Sequence, residues 1–309
     1  MRSWRREDGG KIQNKMNVKA PNKLLELIQA WARMIKDPAD REIQILEDAH
    51  TLRIASESGR TVPEVYSTAL SYGIYPYRYI RNRDSISAEE QFRLAQSRVA
   101  VAGAGGLGGQ VILLLARIGL GHLTVIDYDF FEESNLNRQS LSNEERLGRP
   151  KAQGAVDAVG SINPGVEVIP FRTVLNPLNA PEILAGADVV IDALDNIPDK
   201  FVLEKAAKKL GIPLVHGALA GFEGRLMTIF PNDPGLREIY GEQKAERDNE
   251  KMPEDLLGVP APMPSVIASF QAMEVIKIIL KKENLFRNVL LQLDLERGLI
   301  NKFTLKTGY

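Results

Sequence analysis

The chain has 309 residues, 44% of them hydrophobic, with 39 basic and 40 acidic side chains and no cysteine. That length can bury one sizeable core plus a small extra lobe, and a net charge of −1 gives no broad electrostatic case for nucleic acid. No apolar run is long enough to span a bilayer, and Met1 to Lys15 carries charge without the apolar stretch of a secretory signal, so a cytoplasmic protein without membrane contact is expected.

Met1 to Ala20 is polar and basic. From Pro21-Asn22 onward, Leu24, Leu25, Leu27, Ile28, Trp31, Ala32 and Ile35 fall largely on one helical face, and helical patterns recur over Ala39–Ala55 and Val62–Ser71. Thr61 offers a cap and Pro63 a first-turn residue for the last of these. Residues 1–76 therefore read as an N-terminal helical extension, its apolar stripes serving packing or a dimer surface.

Beyond it, apolar strands alternate with helices: Arg98–Ala102, His122–Tyr128, Val166–Phe171, Asp188–Ala193, Pro213–His216 and Gly224–Phe230. Such alternation predicts an α/β fold with a doubly wound, mainly parallel sheet covered by helices on both faces. A charged loop over Glu242–Asp255 and the run Pro260-Ala261-Pro262-Met263-Pro264 read as a mobile crossover above the active site. A helix over Ser265–Leu280 and two antiparallel strands, Val289–Leu295 and Leu299–Leu305, complete the chain.

The most informative segment joins the first of these strands to a helix over Gln110–Ile118: Val101-Ala102-Gly103-Ala104-Gly105-Gly106-Leu107-Gly108-Gly109. Glycines there let a phosphate approach the backbone, the helix N-terminus offers free N–H groups, and Asp127 at the end of the next strand can bind a ribose hydroxyl. A nicotinamide or flavin enzyme would share that loop. The cationic run that follows, Ser134-Asn135-Leu136-Asn137-Arg138-Gln139 and then Arg149-Pro150-Lys151, suits a triphosphate better, with Arg138 as a fork and Lys151 as a point charge. Asp195 ends a buried strand, where open α/β sheets bind ligands, and a hard cation takes one or two carboxylates plus phosphate oxygens, which makes Asp195 the candidate Mg²⁺ ligand. Its competing role is to cap the next helix together with Asn196.

In order, these motifs resemble those of the ThiF/MoeB/HesA family, bacterial relatives of the ubiquitin-activating enzymes. The match runs through the glycine loop, Asp127, Ser134–Gln139, Arg149-Pro150-Lys151, Asp195-Asn196 and the Gln271–Lys277 helix, and spans residues 77–309. The resemblance implies a Rossmann-like adenylation domain that uses ATP and Mg²⁺ to activate the C-terminal glycine carboxylate of a ubiquitin-like sulfur-carrier protein ending in Gly-Gly. It puts Gly103, Gly105, Gly106, Gly108, Ser134 and Asn196 on the nucleotide, Asp127 on the ribose, Asn135, Arg138 and Lys151 on the phosphates, and Asp195 on the metal. Arg78-Tyr79-Ile80-Arg81 resembles the element whose second arginine reaches the neighbouring protomer's phosphates, so Arg81 would act in trans within a homodimer. A solvated basic turn is the other reading of Arg78, Arg81 and Arg83.

Two departures stand out. Many relatives hold a structural zinc with two CxxC pairs, whereas Asn232–Tyr240 offers no replacement cluster and no zinc is expected. Without a thiol these residues cannot carry the acyl group as a thioester or sulfur as a persulfide, so the adenylate would be the product. Lys200 also stands where many relatives carry an arginine. Two alternatives stay open: adenylation of a tRNA-linked carboxylate, as in threonylcarbamoyladenosine dehydration, and a non-catalytic dimeric scaffold.

Overall fold

The protein is described by a computed structural model, covering residues 22–37, 39–241 and 253–305. The polar leader Met1–Ala20 and most of the charged loop Glu242–Asp255 lie outside the described residues.

The N-terminal elements are α1 (Asn22–Trp31), β1 (Arg33–Lys36), β2 (Glu42–Leu46), α2 (Asp48–Ser58), α3 (Val62–Ser71) and β3 (Tyr75–Pro76). The extension is thus not helical throughout. Over the Ala39–Ala55 stretch, Ile43 and Ile45 are buried at the two-residue period of a strand, and helix begins only at Asp48. Asp37 fixes the preceding turn, its Oδ1 accepting the N–H groups of Ala39 at 2.8 Å and Arg41 at 3.0 Å. Ile35 lies in β1 opposite Ile43 and not on α1. At α3 the expected start is found: Thr61 and Glu64 form a reciprocal capping box with Pro63 in the first turn.

The next segment ties this extension to the rest. A 3₁₀ helix, Tyr77–Asn82, carries Arg78, which pairs with Asp48 and donates to the Ile162 carbonyl at 2.6 Å. Asn163 donates to the Tyr79 hydroxyl at 2.8 Å and to the Ala116 carbonyl at 2.7 Å. Burial pushes the Tyr79 hydroxyl up to about 12, so it stays protonated.

The α/β core runs α4 (Ala88–Gln96), β4 (Arg98–Ala102), α5 (Gly106–Ile118), β5 (His122–Ile126), α6 (Lys151–Ile162), β6 (Glu167–Phe171), α7 (Ala180–Ile183), β7 (Val189–Asp192), α8 (Ile197–Leu210), β8 (Leu214–Ala220) and β9 (Glu223–Ile229). It continues with α9 (Arg237–Tyr240), α10 (Pro253–Leu257), α11 (Pro262–Ile279), β10 (Val289–Asp294) and β11 (Leu299–Thr304). One 8-stranded sheet has the order β11-β10-β9-β8-β7-β4-β5-β6, parallel from β8 to β6 and antiparallel from β9 to β11.

Alternation along the strands explains the layers. In β4, Val99 and Val101 face the cluster formed by α5, α6 and α11, while Ala100 and Ala102 face the one formed by α7, α8 and α9. Pro262, Met263 and Pro264 form the first turn of α11 and are not loop, a position that suits residues lacking an N–H. Asp233, within the stretch where the resemblance would put a first thiolate pair, takes both Nε and Nη2 of Arg287, the closest contact at 2.7 Å. The Arg287 guanidinium also stacks 4.6 Å over the Phe230 ring.

From β4 the chain winds outward through β5 and β6, then returns to β7 on the other side of β4. The winding reverses between β4 and β7, and the crevice beyond their carboxyl ends is where such sheets bind ligands.

Candidate functional site

One wall of that crevice is the glycine loop. Gly103 adopts φ 94°, and a Cβ there would lie 2.4 Å from the Ala193 carbonyl oxygen. A Cβ on Gly108 would stand 1.8 Å from the Gly103 oxygen and 3.2 Å from the Ala193 Cβ. These two glycines bring the start of α5 against the residues after β7. Gly105 and Gly106 differ, since their Cβ positions are free of backbone clash. Gly105 caps α5 with no side chain, which leaves the first-turn N–H groups open to an anion.

Asp127 braces this loop from β5. Its Oδ2 accepts the Ala104 N–H at 2.7 Å and its Oδ1 accepts the Asp129 N–H at 2.8 Å. Burial pushes its carboxyl up, and those N–H donors and the Lys151 charge pull the other way. Two lone-pair positions remain for a ribose hydroxyl.

The polar run turns back over the loop. Asn135 is buried, and its Oδ1 accepts the Glu132 N–H at 3.1 Å, so part of its capacity holds the turn. Ser134 is exposed beside it. Arg138 donates from Nη1 to the Ser134 carbonyl and to Asn137 Oδ1, both at 2.9 Å, which sets its guanidinium beside the loop. The Cβ position of Gly106 lies 3.4 Å from Arg138 Cγ and 3.6 Å from Pro264 Cγ, so α11 closes that side. Lys151, at the head of α6, is buried and reaches Asp129 at 3.0 Å.

Across the crevice Asp195 is exposed, its Oδ1 3.4 Å from Asn196 Nδ2. The helix cap is Asn196 alone, whose Oδ1 accepts the Asp199 N–H at 2.9 Å, so Asp195 is not spent on capping and accepts only the Asn196 amide at Oδ1 among the described residues. The Tyr128 hydroxyl feels both sides: the carboxylate of Asp129, then burial, then Asp195, Asp127 and Asp199 raise it above its ordinary value. One exposed carboxylate beside open helix N–H groups fits Mg²⁺ held largely by phosphate oxygens and water.

Arg81 is the residue the structure does not bring here. It is exposed in the Tyr77–Asn82 helix, whose Tyr79 ring packs on Gly119 at the far end of α5. With 13 residues in α5, the loop of the same chain is about 20 Å away.

A buried polar cluster beneath the crevice was not anticipated. Asp192 is without solvent exposure and holds His216 Nδ1 at 2.7 Å and Lys200 Nζ at 3.1 Å. Lys200 also donates to the Gly217 carbonyl at 3.2 Å, so it faces the core and not the phosphates. His216 Nε2 lies 3.2 Å from the Tyr240 hydroxyl. Gln271 donates to the carbonyls of Asp192 at 2.9 Å and Val215 at 3.0 Å, locking α11 onto β7 and β8. Glu274 accepts the Thr228 hydroxyl and the Phe286 N–H at 2.9 Å and pairs with Lys277. The polar residues in the Asp188–His216 stretch were the available signal, because strand interiors seldom hold unpaired charge.

A model of the ThiF family matches residues 79–308. The chain is 40% identical over 206 residues to the SAMP-activating enzyme E1 of Haloferax volcanii, covering 66% of this chain and 75% of that protein. It is 35% identical over 195 residues to the molybdopterin-synthase adenylyltransferase of Escherichia coli, covering 61% and 75%. With the adenylyltransferase and sulfurtransferase MOCS3 of Arabidopsis thaliana the identity is 36% over 229 residues, 72% of this chain but 48% of that one, so the chain spans about half of that relative's length. Among solved structures, Escherichia coli MccB with ATP shares the fold at a TM-score of 0.63 and 24% identity, covering 75% of this chain and 71% of that one. The chain therefore belongs to the ThiF family and is an E1-like adenylyltransferase.

Proposed function

We propose that this adenylyltransferase activates the C-terminal glycine carboxylate of a small ubiquitin-like sulfur-carrier protein ending in Gly-Gly, at the expense of ATP. What supports the reading is that the uncapped start of α5, Arg138 beside Gly106, Asp127 bonded to the Ala104 N–H, Lys151 paired with Asp129, and Asp195 acting on the Tyr128 hydroxyl all follow the carboxyl ends of β4, β5 and β7.

In the reaction, a carboxylate oxygen attacks the α-phosphorus of ATP, the new C–O–P bond forms, and the bond to the β-phosphate oxygen breaks to release pyrophosphate. A carboxylate is already ionised near neutral pH, so no general base is required. The task is to bring two anions together and neutralise their charge. The α5 N–H groups and Arg138 hold phosphates, Asp127 holds the ribose, and Lys151 supplies a charge that Asp129 keeps in place. Mg²⁺ on Asp195, when bound, would neutralise the triphosphate and the departing pyrophosphate.

Two features extend the proposal. Arg81 lies too far from its own crevice, which supports a homodimer in which each protomer lends Arg81 to the other. These residues hold no cysteine, which supports direct use of the acyl-adenylate by a separate acceptor, without a thioester on this chain. Residues 77–309 would form the adenylation domain, with the preceding lobe as an accessory.

Incubation with α-labelled ATP and candidate carriers tests the substrate. Label retained on a carrier ending in Gly-Gly, and absent when those two residues are removed, supports the reading. Label that appears on tRNA instead would replace the protein substrate by a nucleic-acid one.

A further inference from the structure

The segment from Arg78 to Asp84 is held on both sides of Arg81 by the lobe that precedes it. Asp48, in the first turn of α2, accepts Arg78 Nε at 3.2 Å on Oδ1 and Arg78 Nη2 on Oδ2, a two-pronged pair to which the Tyr66 hydroxyl adds a bond on Oδ1. Asp37, buried in the turn between β1 and β2, accepts Arg83 Nη1 on Oδ2, and the same oxygen takes Arg41 Nε at 2.8 Å. Arg41 in turn donates to Asp84 Oδ1 at 2.6 Å. The α/β core adds Asn163 on the Tyr79 hydroxyl and Gln91, whose Oε1 accepts Asn82 Nδ2 at 3.0 Å.

Arg81 stands inside this frame. It is exposed, and among the described residues its side chain has no hydrogen-bond or ion-pair partner. Arg78 lies one turn before it in the 3₁₀ helix and Arg83 just beyond the helix end, so loss of either pair would free the backbone that carries Arg81. Ion pairs add little net stability, exposed ones because solvent screens them and buried ones because desolvation offsets the attraction. Their gathering around one unpaired arginine points to positioning, since misplacing a reacting group by about 1 Å can cost about 100-fold in rate.

We propose that the N-terminal lobe positions Arg81: Asp48 on Arg78 and Asp37 on Arg83 hold the segment so that Arg81 can enter the crevice of a second copy of this chain. This rests on the reading above in which Arg81 acts in trans. Asp37 and Asp48 are positioning residues and touch no substrate.

Asp48→Asn removes the charge and turns one acceptor into a donor facing Arg78. Pyrophosphate exchange, measured with a ubiquitin-like protein ending in Gly-Gly, should fall about tenfold or more, and Asp48→Glu should restore part of it. Amide hydrogen exchange in Asp48→Asn should rise over residues 78–84 and stay unchanged in the glycine loop. Refolded in an equal mixture with Asp195→Ala, Asp48→Asn should reach about a quarter of wild-type activity, because each mixed dimer has one intact crevice served by an undisturbed Arg81. Mixed with Arg81→Ala it should gain nothing, because both changes disable the same lent arginine. A lobe that only stabilises the fold would lower the melting temperature and give recovery with both partners, and that result would overturn the proposal, as would Asp48→Asn activity within about twofold of wild type. If Asp48→Asn fails to fold, Arg83→Gln, which leaves Asp37 paired with Arg41, decides in the same mixtures. Full activity in Arg81→Ala, or no exchange by wild type with any carrier, would remove the reading beneath the proposal; an inactive Arg81→Ala beside an unaffected Asp48→Asn would remove the positioning role alone.

Discussion

His216 Nδ1 sits 2.7 Å from Asp192 Oδ2, and neither residue has any solvent exposure. Burial holds the His216 pKa below its ordinary value of 6.5, against the pull of Asp192. Asp192 is held below 3.8 because Lys200 and His216 together outweigh the cost of its burial. The neutral ring therefore refuses a proton that the unfolded chain accepts, and its contribution is intact above pH 6.5 and lost as pH falls below it. Urea unfolding between pH 7.5 and 5.5 should show a downward slope approaching about 1.4 kcal/mol per pH unit from this site. His216→Gln should flatten that slope while lowering stability at pH 7.5; an unchanged slope would contradict the assignment.

Gly108 and Gly106 should respond differently to alanine. At Gly108 the new Cβ meets a backbone oxygen at 1.8 Å, so Gly108→Ala should cost about 3 kcal/mol or more. At Gly106 the nearest atom is a side-chain carbon at 3.4 Å. Gly106→Ala should keep its melting temperature and bind ATP on the order of tenfold more weakly, because the methyl group stands between phosphate and backbone. Equal loss of stability in the two variants would argue against a phosphate cradle at Gly106.

Asp195→Asn should leave stability within about 0.5 kcal/mol, since the side chain is exposed. Pyrophosphate exchange should fall on the order of 100-fold. The same change should lower the Tyr128 hydroxyl pKa, because Asp195 is one of the carboxylates raising it. Absorbance titration of that tyrosine gives a readout independent of catalysis. A Tyr128 titration identical to wild type would mean that Asp195 faces elsewhere.

Sharing of Arg81 can be measured by mixing. Arg81→Ala and Asp195→Ala should each be inactive, yet an equal mixture refolded together should regain about a quarter of wild-type activity, since half the dimers would hold one intact site each. No recovery would place both residues in one protomer's site or remove Arg81 from the reaction.

The placement of much of the candidate site was legible because its signals are local. The glycine loop, Asp127, Ser134–Arg138 and Asp195 each stand at the carboxyl end of a parallel strand or just beyond it, where alternation of strand and helix already puts ligands. The buried cluster was not legible for the opposite reason: Asp192, Lys200, His216 and Tyr240 meet only through the pairing of β7 with β8 and the packing of α8 and α9. Gln139 closes the polar run that reads as facing a triphosphate, and the turn from Asn135 to Ser142 buries it. In the N-terminal lobe, Glu42–Leu46 is too short for periodicity to separate strand from helix. Arg78 read as part of the Arg-Tyr-Ile-Arg element or as a solvated basic turn, and a distant acid, Asp48, took it instead.

The most direct measurement is ATP–pyrophosphate exchange by the purified protein, with and without ubiquitin-like proteins ending in Gly-Gly. Exchange that appears only with such a carrier, and vanishes when its final glycine is removed, is the predicted result. ATP binding without exchange in the presence of every carrier would contradict the account.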